Sequence, residues 1–172
     1  MTRNEEQISL TSPINNAIEG SRIWALIRDR VNAIRTRDVD RSVAACATDL
    51  LLFDVINPLQ YLGQDTARQR AAEWFSSFQG PLGYEMRDLT IDAGDDVAFS
   101  HSLNRVTATK TDGNKLDMWW RATACYRKIN GEWKVTHEHN SVTFDVKSGK
   151  AALDLQPSHA SYPGGETSSS DL

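Results

Sequence analysis

Asp54 is the residue best placed to do chemistry. It is the single carboxylate in the apolar run Leu50-Leu51-Leu52-Phe53-Asp54-Val55-Ile56. An ionised group there loses hydration, and desolvation favours the protonated form, the property that suits a general acid or base. The competing arrangement is an outward turn at the strand end, toward Asn57 or Arg68. His137 and His139 stand two apart in a strand-like stretch and so share a face, about 6.5 to 7 Å apart at Cα. That spacing suits a metal. Yet Trp133 and Val135 share the same parity and no Asp, Glu or Cys ligand is evident beside the pair, so no metal site is expected. The candidate catalytic pair is therefore Asp54 with His137. In a two-residue-turn register His101, Ala124 and His137 fall in one row, Thr123 faces Glu138, and Arg121 faces Asn140; a three-residue turn instead puts Arg121 and Thr123 beside His139 and His137. In both registers Arg, His, Glu and Asn concentrate among aromatics on the last two long strands. This makes Trp120, Arg121, Thr123, Glu138, His139, Asn140 and His101 candidate ligand contacts, with a polar network at a sheet-to-sheet dimer contact as the alternative. The chain shows no Gly-rich phosphate loop, G-x-S-x-G elbow or dinucleotide fingerprint, so the expected chemistry uses no cofactor.

Composition narrows the partners. The 172 residues carry 19 Lys and Arg against 23 Asp and Glu, a net charge of −4 with no sustained basic run. Nucleic acid and anionic membranes both demand a basic footprint, so neither is expected as a partner. No apolar run approaches the ~20 residues of a membrane-spanning helix, and Met1 to Gln7 are polar rather than a basic segment leading into an apolar one. A cytoplasmic location is the expectation. The two cysteines, Cys46 and Cys125, have no C-x-x-C spacing and read as reduced core residues.

The elements that must position these residues follow from two periodicities. Residues 1–12 read as an arm. Ser12-Pro13 is a helix-start signal, and Ile23, Ile27, Val31 and Ile34 recur at helical spacing. Asp38 can cap a second, short helix, and Asp65 a third carrying Ala67, Ala71, Trp74, Phe75 and Phe78, with Gly80-Pro81 as its stop. The period then changes to two through Tyr84–Ile91, Val97–Thr109, Leu116–Lys128 and Glu132–Val146, joined by turn signals at Gly94-Asp95-Asp96, Asp112-Gly113 and Asn130-Gly131. Within the first of these strands Tyr84 and Met86 share one parity, but Leu89 and Ile91 the other. That slip predicts a β-bulge and a curved sheet. The layout is α+β, with three helices on one face of a bent antiparallel sheet. Residues 147–172, ending in a Pro, Gly and Ser-rich stretch, are expected to be flexible.

Two stretches carry a family resemblance. Arg30-Val31-Asn32-Ala33-Ile34-Arg35-Thr36-Arg37-Asp38-Val39-Asp40, the strand ending in Asp54, Gly63 and Trp74-Phe75 resemble the first half of SnoaL-like and ketosteroid-isomerase-like proteins. The segment from Trp120 to Ser141, with its R-x-T, G-x-W and H-x-H-x-S, resembles the closing hairpin of the SnoaL-like branch. The resemblance implies a nuclear-transport-factor-2-like, or cystatin-like, domain over residues 13–146. It would be a cone of strongly curved sheet with helices on the concave face, an apolar pocket opening at the helix side, and a homodimeric assembly. It also implies that Asp54 falls where ketosteroid isomerases carry their proton-shuttling aspartate, that Arg30 occupies the place of their oxyanion-hole tyrosine, and that their second, protonated aspartate falls at or near Thr123 or Cys125.

The functional expectation is a pocket for a small, largely apolar ligand. It would serve either an isomerase, cyclase or lyase acting on a carbonyl or polyketide-like compound, or a ligand-binding or oligomerisation domain without turnover. Trp119-Trp120 puts one indole on each sheet face, so one face is expected to lie against a second subunit.

Overall fold

The computed structural model describes residues 8–10 and 16–157. The Ser12-Pro13 helix start, most of the N-terminal arm and the chain beyond 157 lie outside the described residues. Strand β1 (Ile8–Leu10) precedes helix α1 (Ala17–Thr36), which buries Ile23, Ile27, Val31 and Ile34 as one stripe. Arg37 ends α1 in the left-handed region, and Asp38 caps the short helix α2 (Val39–Val43) by accepting from the Arg41 amide at 3.0 Å. Strands β2 (Cys46–Phe53) and β3 (Tyr61–Leu62) lead into helix α3 (Gln64–Ser76), and four long strands follow: β4 (Phe78–Ala93), β5 (Val97–Lys110), β6 (Lys115–Ile129) and β7 (Glu132–Ser141). A separate hairpin, β8 (Thr143–Asp145) with β9 (Lys150–Ala152), closes the described chain.

The main sheet runs β1-β4-β5-β6-β7-β2-β3, antiparallel except where β1 joins β4 and β2 joins β7. It is large, curved and open, with the helices covering its concave side, as expected of the α+β reading. The predicted bulge is present. The β4–β5 register slips between Arg87 and Thr90, and Asp88 takes a positive φ of 54°. One extra residue there keeps Tyr84, Met86, Leu89 and Ile91 all buried, despite their change of parity. Among the described residues no helix is long and apolar enough to cross a membrane.

Several local expectations are corrected. Gly63, at φ 87° and with its amide on the Leu50 carbonyl at 2.8 Å, starts α3, so Asp65 sits in the first turn and pairs with Arg68 instead of capping. Helix α3 ends at Ser76, one turn before Gly80-Pro81, which lies within β4 at a register irregularity that tolerates a residue without an amide proton. The β5–β6 loop has three residues between the facing Lys110 and Asn114 (amide to carbonyl 2.8 Å), one more than a two-residue turn requires. His101 therefore faces Thr123 rather than Ala124, and the His101–Ala124–His137 row does not form. The β6–β7 turn has the expected two residues, with Ile129 facing Glu132, but the register slips by one at Thr136. Thr123 then faces His139, and Arg121 faces Ser141. Strand β7 ends at Ser141, not Val146. The extension beyond 147 holds structure in its first part: β9 pairs with β8, and Gln156 Oε1 accepts from Trp119 Nε1 at 3.0 Å.

Candidate functional site

Alternation on β5 and β6 puts Ser100, Ser102, Asn104 and Val106 on the inner face with Met118, Trp120, Ala122 and Ala124, while the Thr136 slip turns Glu138 and Asn140 inward with them. Helices α1 and α3 face this surface. Between them lies a cavity of about 580 Å³ with mostly apolar walls, Leu50, Leu52, Phe75, Phe78 and Met118 among them. That volume lies within the usual range for a small-molecule site. A recess of about 50 Å³ adjoins it, the two sharing Arg30, Ile34, Tyr84 and Glu138.

Four of the nine candidate residues line the cavity: Asp54, Trp120, Glu138 and Asn140. Asp54 follows the last residue of β2. Its Oδ1 accepts from the Val55 amide at 2.7 Å and its Oδ2 from Arg70 Nε of α3 at 3.0 Å, so its partner is Arg70, not Asn57 or Arg68. Glu138 Oε2 accepts from Arg30 Nη1 of α1 at 2.5 Å, and its Oε1 from Asn140 Nδ2 at 3.0 Å; Asn140 Oδ1 in turn accepts from Trp120 Nε1 at 3.0 Å. Burial alone would push the Glu138 carboxyl up. The charge and hydrogen bond of Arg30, with the Asn140 bond, outweigh burial and hold it below the usual carboxylate range. Glu138 is an ionised structural anchor with a donor on each oxygen, rather than a base.

His101, Arg121, Thr123, His137 and His139 do not line the cavity. They lie on the opposite face of the sheet, where the one-residue slip and the three-residue loop put them. His137 Nδ1 donates to the Leu51 carbonyl at 2.9 Å, and Phe53 packs edge-on against His137 and His139 with ring centroids 5.0 and 5.6 Å away. Arg121 donates to the Val142 carbonyl at 3.1 Å. The structure thus separates His137 from Asp54. Among the described residues no group of three or more His, Cys, Asp or Glu could hold a metal.

Three polar lining residues were not among the site candidates read from the sequence, although Arg30 was matched to the oxyanion-hole tyrosine of the related isomerases, and each carried a signal. Arg30 falls at the helical spacing of Ile23, Ile27 and Ile34 and so belongs to the buried stripe of α1. Arg70 lies between Ala67 and Trp74 on the inner side of α3. Tyr84 shares the inward parity of Met86. Its ring meets that of Trp120 at 68° with centroids 5.6 Å apart, and its hydroxyl accepts from Asn104 Nδ2 at 3.1 Å. Burial raises the Tyr84 phenol well above its ordinary value, against the pull of Arg30. Tyr126, bonded to Ser100 at 3.0 Å, is pushed up to about 12, first by burial. Burial likewise raises the Cys46 thiol on the cavity wall, so it stays protonated and is no activated nucleophile.

An open, bulge-curved sheet covered by helices over an apolar cavity defines the nuclear-transport-factor-2-like, cystatin-like class. Within it, the SnoaL-like domain family matches residues 23–145, and the chain belongs to that family. An NTF2-like protein of unknown function from Pseudomonas putida KT2440 is 35% identical, with a TM-score of 0.75 over 84% of this chain and 100% of that one. More distant structures share the fold. A ketosteroid isomerase-like protein from Erwinia carotovora atroseptica is 20% identical, with a TM-score of 0.61 over 70% of this chain and 93% of its own. A protein with a cystatin-like fold from Caulobacter vibrioides is 17% identical, with a TM-score of 0.62 over 74% and 91%. No curated protein matches the chain.

Proposed function

We propose that the chain binds a small, largely apolar carbonyl compound in this cavity and moves a proton on it. Asp54 would take the proton from the carbon next to the carbonyl and return it to the same or a conjugated carbon. The observation that carries the reading is the position of Asp54: a carboxylate at the end of a buried strand, opening onto an apolar cavity of ligand size. In the transfer the C–H electron pair moves into the carbon skeleton and charge builds on the carbonyl oxygen, so the side chains alone balance the step. His137, expected as the catalytic partner of Asp54, and Arg121, expected as a ligand contact, are on the other sheet face. Any polarising group must come from the cavity wall.

A second reading, a ligand-binding domain without turnover, draws on the Arg70 bridge and the Val55 amide, which already engage both oxygens of Asp54. In either case we expect a homodimer. The outer face carries Val97 at 61% and Phe99 at 44% exposure and, further along the same face opposite Arg105, the half-buried Trp119, apolar area that a second copy of the sheet would cover.

The two readings separate by incubating the chain with α-tetralone in heavy water and following loss of the proton signal next to the carbonyl. Proton transfer by Asp54 means rapid exchange with the unaltered chain and a fall of a hundredfold or more with Asp54→Asn, in line with the usual weight of general base catalysis, roughly 10²–10⁴. Exchange equal in the two proteins contradicts the catalytic reading.

A further inference from the structure

The polar groups of the cavity wall are unevenly engaged. Both oxygens of Asp54, both of Glu138 and the carbonyl oxygen of Asn140 already hold a donor, and the Trp120 indole N–H is spent on Asn140. Tyr84 is the reverse case. Ser102 Oγ donates to Asn104 Oδ1 at 2.7 Å and Asn104 Nδ2 donates to the Tyr84 oxygen at 3.1 Å, so the relay fills the phenol's acceptor side. Its own proton has no acceptor among the described residues. Because burial keeps the phenol protonated, that proton is available at neutral pH.

Charge on the same wall cancels. Arg30, Arg70 and Lys110 stand against Asp54, Glu73 and Glu138. The two arginines nearest the apolar interior are each committed to a carboxylate, Arg30 to Glu138 at 2.5 Å and Arg70 to Asp54 at 3.0 Å. Lys110, the wall cation without a carboxylate partner among the described residues, is exposed to solvent, so an anion entering the apolar interior would lose its hydration and meet only guanidiniums already paired, whereas a neutral oxygen acceptor needs a single donor.

We propose that Tyr84 selects the ligand: its hydroxyl donates to the oxygen of a neutral carbonyl compound, and the cavity takes such acceptors in preference to the matching anions in spite of its two arginines. The inference rests on the reading of this cavity as the ligand site and is independent of Asp54 acting as a base.

Three matched probes test it on the full chain: α-tetralone, the hydrocarbon tetralin and a tetralin carboxylate, each titrated against tryptophan fluorescence. The unaltered chain should bind the ketone roughly tenfold more tightly than the hydrocarbon, the worth of one buried hydrogen bond. The carboxylate should bind no better than tetralin. Tyr84→Phe should bring the ketone-to-hydrocarbon ratio close to one while leaving tetralin affinity, the control for folding, in place. An unchanged ratio in Tyr84→Phe, a carboxylate that binds most tightly, or no binding of any probe overturns the proposal. If Tyr84→Phe does not fold, the infrared carbonyl stretch of α-tetralone bound to the unaltered chain decides. A stretch below that in hexane, weakened by Asn104→Leu, supports the Tyr84 bond, and an unshifted stretch overturns it. Asp54→Asn should keep the binding ratio. Lost proton exchange with an intact ratio therefore removes only the catalytic reading, and a lost ratio with intact exchange removes only this one.

Discussion

Arg30 and Glu138 lie 108 residues apart in the chain, yet their side chains meet at 2.5 Å on the boundary between the large cavity and its recess. The contact ties the first helix to the last long strand at the cavity wall. Asn140 and Trp120 extend the pair into a hydrogen-bond chain along the wall.

Removing one partner of this bridge should cost stability. Glu138→Gln leaves Arg30 without its counter-charge, and a loss of about 3 kcal/mol is expected, the low end for a buried pair because part of Arg30 reaches solvent. Chemical denaturation at neutral pH measures it.

The same pair sets an acid limit. The folded-state value of Glu138 is lowered, so its contribution to stability is fully present above the ordinary glutamate range and is lost as pH falls through the folded value. Melting temperature followed from pH 7 down through that range should drop more steeply for the unaltered chain than for Glu138→Gln. Parallel acid limbs would contradict the assignment.

Curvature depends on the bulge at Asp88, whose φ of 54° suits glycine better than a β-branched residue. Asp88→Val should cost about 1 to 2 kcal/mol and Asp88→Gly nothing or a small gain, read as shifts in the unfolding midpoint.

The two adjacent tryptophans should separate assembly from ligand binding. Trp119 is on the outer face, under Arg105 with 5.6 Å from guanidinium to ring, while Trp120 lines the cavity. The unaltered chain should be a dimer by light scattering at micromolar concentration. Trp119→Glu should give monomer or precipitate, and a dimer that survives Trp119→Glu contradicts the assignment of that face.

Long periodic segments were legible in the sequence because each element's face follows from its own spacing: the α1 stripe from Ile23 to Ile34, the Asp38 cap and the bulge implied by the slip from Tyr84 to Leu89. The site was legible only in part, because it depends on register between segments. One extra residue in the Asp112-Gly113 loop and one at Thr136 turned His101, Arg121, Thr123, His137 and His139 away from the cavity. Neither insertion leaves a mark in hydrophobic periodicity. Asp54 and Trp120 were found because a lone carboxylate in an apolar run and a paired indole are visible without register. Tyr84 entered the sequence reading only through the parity slip and Arg70 not at all, although their spacing put both on inner faces.

The five tryptophans report directly on whether ligand enters the cavity beneath α1 and α3. Trp74 and Trp120 line the cavity; Trp24, Trp119 and Trp133 do not. In a proton–nitrogen correlation spectrum of the indole groups, assigned by single Trp→Phe replacements, saturating α-tetralone should move the Trp74 and Trp120 signals and leave the other three in place. Movement of Trp119 with Trp74 and Trp120 unmoved would place the ligand on the outer face of the sheet and contradict the cavity as the functional site.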